Sequence, residues 1–215
     1  MLYINVPFSE KEEAKILGAR WNSEKKMWYI RDRYDYPKFQ KWILGDDDRC
    51  IILCDNYFIV EAPHTCFRCK NSTPVIGFGI ESHCKFWAKG IFVGDPWPEY
   101  NCDEVGIASY INPIHENILG YLKEKYNYYY DYSKFAETHY YANHCNSCGV
   151  IQGRHFLFCE DESPFFIKNI EMARALKLYC VKMKEDKKVE CNVSWGSLDH
   201  LINTYAQISD LHLTE

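Results

Sequence analysis

Apolar and polar positions along this chain change period several times, and each change marks an element. "LYINV" alternates and predicts a leading strand. Ser9 and Glu12 then stand in the spacing of a capping box, so a helix is expected through Ala14 and Leu17. It should stop at Gly18, whose missing Cβ suits a left-handed C-terminal residue. Two short aromatic strands follow, around Ala19–Trp21 and Met27–Arg31, joined by the polar turn "NSEKK". The order is β-α-β-β.

Further along, "YFIVEAPHTC" and "TPVIGFGI" are rich in strand formers, as are "HYYANHC" and "GVIQGRHFLF". Between these pairs lie a turn-rich stretch, "VGDPWPEYNCDEVG", and a predicted helix from about Pro113 to Tyr126. Ile114, Ile118, Leu119, Leu122 and Tyr126 of that helix fall on one face. Seven tyrosines between Tyr126 and Tyr141 are expected to cover the neighbouring sheet, with a recognition surface as the alternative. "ALKLYCVKMK" and "KKVECNVSW" predict an antiparallel hairpin over "EDKK", a helix over 170–183 being the alternative. Ser197 is expected to cap a final helix, "LDHLINTYAQI".

Charge divides the chain. The net charge of −5 argues against wholesale binding of polyanions, yet residues 1–45 hold nine Lys/Arg against six Asp/Glu, and the remainder holds 16 against 24. Two modules are expected, 1–45 and 46–215, only the first of which favours a polyanion. No apolar run approaches the roughly 18–20 residues needed to span a bilayer. "MLYINVPFSEKEEAK" lacks the basic, apolar and small-residue regions of a signal peptide. The expected location is therefore cytoplasmic, and the eleven cysteines read as metal ligands or buried thiols rather than as a disulfide framework.

Two Cys-x-x-Cys turns stand out, Cys66/Cys69 in "CFRC" and Cys145/Cys148 in "HCNSCG". Together they make a four-thiolate set suited to one structural Zn²⁺, and strand–knuckle–strand, twice, is the plan of a zinc ribbon. The 75 residues between Cys69 and Cys145 exceed the usual ribbon spacing of about 15–20, so residues from about 80 to 140 read as an insertion. The competing readings are two separate loops with free thiols, or a site in which His64 or His144 replaces one sulfur. His83 and Cys84 with Cys102 and His115 are a weaker second cluster. Cys50, Cys54, Cys159, Cys180 and Cys191 read as small buried hydrophobes.

"INVPFSEKEEAKILGARWNSEKKMWYI" resembles a small bacterial and plasmid or phage module known as a domain of unknown function, family 5710. The features carrying the likeness are V-P-[FY], E-A-K-x-L-G-A-R-W and W-Y-[IV], over about the first 45 residues. Relatives of that module occur fused to primase-like and other DNA-processing proteins. The resemblance thus implies nucleic-acid metabolism or mobile-element conflict, and it supplies no site. "TCFRCKNSTPVIGF" with "ANHCNSCGVIQGRHFLF" resembles the paired knuckles of uncharacterised bacterial zinc-ribbon proteins, which implies the metal and brings no activity.

Trp21, Trp28 and Tyr29 read as the small module's core, with base-stacking platforms as the alternative. Arg20, Lys25, Lys26, Arg31 and Arg33 are its candidate nucleic-acid contacts, Arg31 and Arg33 sharing one side by alternation. No phosphate loop, nucleophile elbow, His-Glu-x-x-His or deaminase string occurs. Four thiolates leave zinc no open position for catalysis. The expectation is an α+β protein, a β-α-β-β module followed by a zinc-ribbon-like antiparallel domain with an inserted helical and aromatic segment. Its expected role is non-catalytic recognition of nucleic acid or of a nucleic-acid-processing protein, with no membrane and no small-molecule substrate. Two alternatives stand beside it: a protein-binding inhibitor or accessory factor in phage–host conflict, and an HNH-like nuclease using Asp199, His200 and Asn203.

Overall fold

A computed structural model describes residues 1–47, 49–87, 100–101, 104–193 and 195–214. Most of the turn-rich stretch before Val105, with Cys102, lies outside the described residues. The first module follows the predicted order, with β1 (Leu2–Ile4), α1 (Lys11–Ile16), β2 (Arg20–Asn22) and β3 (Met27–Ile30). Its antiparallel sheet runs β1-β3-β2. The capping box does not form. The chain first makes a 3-10 turn over Phe8–Glu10, which takes Ser9 inside the helical path, and no side chain caps α1. The other end is as expected: Gly18 has φ +106°, and the bonds Gly18 N–H to Lys15 O and Ala19 N–H to Ala14 O complete a Schellman motif.

A 3-10 segment over Arg33–Phe39 and α2 (Gln40–Leu44) extend the module. Asp32 accepts the N–H of Tyr34 at the start of this segment, and Tyr36, Phe39, Ile43 and Leu44 are buried. The apolar cluster they join contains Leu2, Ile4, Ala14, Ala19 and Ile30, and it continues into Cys50, Ile52, Cys54, Cys84 and Phe86. Trp21 is not part of it. That ring is 52% exposed and meets Trp28 edge-on across the strand pair, with centroids 5.5 Å apart.

The rest of the chain is built on two five-stranded sheets. Their strands are β4 (Arg49–Leu53), β5 (Asn56–Thr65), β6 (Ser72–Ile80), β7 (His83–Trp87), β8 (Tyr100–Asn101), β9 (Gly106–Ala108) and β10 (Ile111–Asn112). After α3 (Glu116–Tyr126) come β11 (Tyr128–Ser133), β12 (Thr138–His144) and β13 (Ile151–Gln152), which form a three-stranded sheet of their own. The chain ends with α4 (Arg154–Phe158), α5 (Ile170–Ala175), β14 (Lys177–Lys182), β15 (Lys187–Cys191), α6 (His200–Tyr205) and β16 (Gln207–Thr214). One five-stranded sheet runs β10-β15-β4-β7-β8 and the other β16-β14-β5-β6-β9, where only the β14–β16 pair is parallel.

Burial explains the unbroken apolar run "YFIV" in β5. Tyr57 and Ile59 face Ile118, Leu122 and Tyr126 of α3, whereas Phe58 and Val60 join Leu157, Ala173 and Ile202 of α4, α5 and α6. A strand covered on both faces needs no polar alternation. The expected hairpin of β14 and β15 is absent, because β14 pairs with β5 while β15 pairs with β4 in the other sheet. Ser197 caps no helix. α6 begins at His200 after a turn in which Asp199 accepts the N–H of Gly196, and the residues after Tyr205 continue as a strand.

Three successive strand pairs, β4–β5, β6–β7 and β14–β15, pass from one sheet to the other at a single corner. Backbone bonds fasten it, Cys54 N–H to Ser82 O at 2.9 Å and Met183 N–H to Asp55 O at 2.8 Å. Asp55 takes φ +62° there. The corner also receives the first module, since Asp186 N–H donates to Met1 O and Tyr36 Oη donates to Asp186 at 2.6 Å.

Candidate metal centre

Hairpin β5–β6 closes with the pair Thr65–Ser72, and β12–β13 with the pair His144–Ile151. Each leaves a six-residue loop that opens on a cysteine, 66–71 and 145–150. The loops share one backbone path. Cys66 N–H bonds Asn71 O at 3.0 Å and Lys70 N–H bonds Cys66 O at 2.9 Å. Cys145 N–H bonds Val150 O at 2.9 Å and Gly149 N–H bonds Cys145 O at 2.9 Å. Lys70 (φ +63°) and Gly149 (φ +70°) occupy the matching left-handed position, which glycine takes at lowest cost.

The structure brings Cys66, Cys69, Cys145 and Cys148 together, with all four Sγ atoms within 4.8 Å of one another. Cys66 Sγ lies 3.7 Å from Cys148 Sγ, and Cys69 Sγ lies 3.6 Å from Cys145 Sγ. A tetrahedron with metal–sulfur bonds of about 2.3 Å has edges of about 3.8 Å. The group could therefore hold a metal ion with little movement of its sulfurs. Among the described residues it is the one cluster of three or more Cys, His, Asp or Glu so disposed.

Backbone N–H groups of the loops favour the thiolate at Cys66, Cys69 and Cys145. Burial pushes the Cys66 thiol up, but N–H donors from Cys69 and Arg68 and the adjacent sulfurs outweigh it, taking the group down to about 6. Burial likewise opposes ionisation of Cys145, and the N–H groups of Cys148 and Ser147 bring it below its ordinary value. At Cys69 the N–H of Asn71 favours the thiolate, yet burial and three neighbouring sulfurs prevail and push the group up to about 11. Four thiols this close do not all ionise without a cation among them.

Buried polar residues that the spacing of cysteines does not reveal hold the two hairpins in register. Asn143 of β12 accepts the N–H of Ile76 at 2.7 Å and donates to the carbonyl of the same residue at 2.9 Å, pairing with β6 as a strand would. Asn146 N–H donates to Thr73 Oγ1 at 3.1 Å. Gln152 Nε2 donates to Val150 O at 2.9 Å and lies 3.5 Å from Cys66 Sγ. Only Thr73 carried a sequence signal, a polar residue near the start of the apolar strand β6; Asn143 in "THYYANH" and Gln152 in a two-residue strand carried none.

The two histidines weighed as ligands have other work. His144 is buried and stacked on Tyr129 at 3.8 Å, its ring nitrogens 3.0 Å from Asn127 O and 3.2 Å from Asp131 Oδ2. His64 is half-buried beside Gln152, and burial holds its pKa below the usual value. In the weaker second cluster, His83 stacks on Trp195 and His115 caps α3, accepting from the N–H of Asn117. Cys84 lies 3.8 Å from Cys54, sulfur to sulfur, and both are buried. Cys50 is also buried, Cys180 and Cys191 are half-buried, and Cys159 is exposed.

The basic residues of the first module divide. Arg33 is held by Asp55 and Asp186, and Lys25 Nζ sits 2.5 Å from Glu185 and 4.3 Å from the centre of the Tyr3 ring. Arg20, Lys26 and Arg31 are exposed. Asp199, His200 and Asn203 are engaged in backbone bonds, to Gly196 N–H, Ser197 O and Val105 N–H respectively. Of the tyrosines, Tyr126 and Tyr128 are buried, while Tyr130, Tyr132 and Tyr141 stay exposed on the β11–β12 hairpin.

Residues 1–43 match the family described as a domain of unknown function, DUF5710. Two Escherichia coli proteins named DNA primase TraC are similar over the same region. One is 51% identical over 43 residues, which is 20% of this chain and 3% of the relative; the other is 50% identical over 40 residues, 19% and 4% respectively. The chain thus spans only a few per cent of the length of these curated relatives. No solved structure gives a significant match. No helix among the described residues is long and apolar enough to cross a membrane.

Proposed function

We propose that this protein is a non-catalytic recognition factor, stapled by one structural zinc ion, that binds nucleic acid in a DNA-processing setting. The observation that carries the proposal is the closed donor set. Cys66, Cys69, Cys145 and Cys148 converge from two matching loops with edges near those of a zinc tetrathiolate. Soft sulfur suits zinc, and four thiolates fill its coordination sphere, leaving no position for a water or substrate. Paired in this way, the hairpins form a zinc-ribbon-like unit enlarged by the segment between them. The nucleic-acid side of the proposal is supported by the likeness of residues 1–43 to a stretch of proteins named DNA primase. It is also supported by the positive balance of residues 1–45 in an otherwise acidic chain.

The test has two parts. Elemental analysis of protein purified after metal-replete expression should give one zinc per chain, and less than half an equivalent would refute the staple. Fluorescence polarisation with labelled single-stranded and duplex oligonucleotides should show binding that weakens steeply as salt rises. A blank result with every oligonucleotide at low salt would leave the protein-binding alternative in possession.

A further inference from the structure

The first module carries a groove that shares only Lys26 with the expected basic contacts. It has a volume of about 340 Å³ and lies between the 3-10 turn that precedes α1 and the β2–β3 pair. Register places Ile4, Trp28 and Trp21 on one sheet face, the face that also carries Leu2 and Ile30 into the core. Phe8 (82% exposed) and Trp21 (52% exposed) border the groove with Trp28, an aromatic surface that folding leaves open, and Met27 lines it from the opposite face of β3.

The charges around it have one sign. Lys11 and Lys26 line the groove, and no acidic side chain does. Lys11 Nζ stands 3.8 Å above the Phe8 ring. Among the described residues neither lysine pairs with a carboxylate, in contrast to Lys25, Arg33 and Lys41 of the same module. Open aromatic rings flanked by cations alone are the elements of a single-strand site: bases stack on the rings and phosphates meet the lysines.

We infer that this groove binds single-stranded DNA, with Trp21 and Phe8 as stacking platforms and Lys11 and Lys26 as phosphate contacts. The inference rests on the nucleic-acid reading above and names the place and form of the ligand. Charge complementarity selects a polyanion, and open rings select unstacked bases over a duplex, whose base faces are already covered. DNA is chosen over RNA because the proteins that match these same residues are named DNA primases.

Binding of a fluorescein-labelled oligothymidylate to the full chain, read by polarisation across a salt series, tests this directly. Trp21→Ala and Phe8→Ala should each weaken binding about tenfold, as expected for loss of one stacked base. Trp21→Phe should retain most of it. The double variant Lys11→Ala/Lys26→Ala should lower the slope of log K against log salt by about 1.4, roughly 0.7 for each lost phosphate contact. Melting temperatures should separate a lost contact from a lost fold: Phe8 and Lys26 are exposed, whereas Lys11 is half-buried and Trp21 also meets Trp28 edge-on, so those variants are read only where their melts match the parent. Parent protein that binds while all groove variants bind equally well would overturn the groove and leave the general nucleic-acid reading standing. Tighter binding of the matching duplex or RNA would overturn the choice of ligand, and absence of binding to any oligonucleotide at low salt would overturn both proposals.

Discussion

Arg33 grips Asp186 with two bonds, Nε to Oδ2 at 2.7 Å and Nη2 to Oδ1 at 2.6 Å. The same guanidinium takes Asp55 in a second two-pronged contact, at 2.9 and 2.7 Å. One residue of the first module thus clamps both carboxylates of the corner where the strands change sheet. Planar geometry with five donors makes arginine able to do this, and a lysine ammonium has no equivalent.

Arg33→Ala should therefore destabilise the whole chain, stripping the buried Asp186 carboxylate of its two-pronged partner and leaving only the Met1 ammonium, 3.5 Å away, as its cation. A loss of about 3 kcal/mol is expected. Arg33→Lys should recover less than half of it. Equilibrium denaturation in urea, with both variants beside the parent, measures the effect.

Acid should loosen the same corner. Burial raises the Asp186 pKa, but Arg33 and the Tyr36 hydroxyl outweigh it and hold the carboxyl below its ordinary value. A carboxylate depressed by folding contributes stability that is complete above its unfolded pKa, about 3.9, and lost as pH falls through the folded value. Thermal melts from pH 6 down to pH 2 should show a decline below about pH 4. Asp186→Asn, less stable at neutral pH, should decline less steeply over that range.

On the proposed zinc staple, metal removal should undo the pairing of the two hairpins. A strong chelator, or Cys66→Ser with Cys145→Ser, should release the ion and shift the melting transition down by well over 10 °C, since metal binding of this type is coupled to folding. Mass spectrometry under native conditions reports the ion and calorimetry the transition. A double variant that stays folded and metal-loaded would contradict the assignment of these ligands.

Asn143→Ala should be costly although it touches no sulfur. It strands the N–H and the C=O of Ile76 in a buried setting, each worth about 1–3 kcal/mol when left unpaired. The variant is expected to lose about 2–4 kcal/mol and, on the proposed zinc staple, to release the metal faster to a chromogenic chelator. Asn143→Asp should rescue neither property, because it keeps the acceptor and loses the donor.

Gly79→Ala probes the packing of the sheet face that carries Phe58 and Val60. An added Cβ would stand 2.8 Å from Val105 Cγ1 and 3.1 Å from both Phe58 Cβ and Val60 Cγ2. Overpacking of that kind costs about 1–3 kcal/mol. Urea denaturation should register it with an unchanged m-value.

Local rules recovered what is local. The β-α-β-β order, the stop at Gly18, the span of α3 and the four cysteines follow from period, backbone freedom and spacing, all legible within a few residues. The corner was not legible, because Arg33 and Asp186 are far apart in sequence and no pattern near either names the other. The same limit explains the missing β14–β15 hairpin. Alternation shows that a strand has a buried face, but not which neighbour it pairs with. At Ser9 and Ser197 the capping grammar was sound, yet an extra turn before each helix moved its true start past the serine.

The sequence distance between the two knuckles has a consequence for how the chain assembles. Each loop closes a hairpin from neighbouring residues, a fast and local event, whereas bringing the hairpins together spans 75 intervening residues and is intrinsically slow. During synthesis Cys66 and Cys69 leave the ribosome before Cys145 and Cys148 exist. For that interval the nascent chain offers two thiols on a formed turn, open to any passing metal or oxidant. On the proposed zinc staple, maturation is thus exposed to metal supply and redox state at a stage the finished fold has passed.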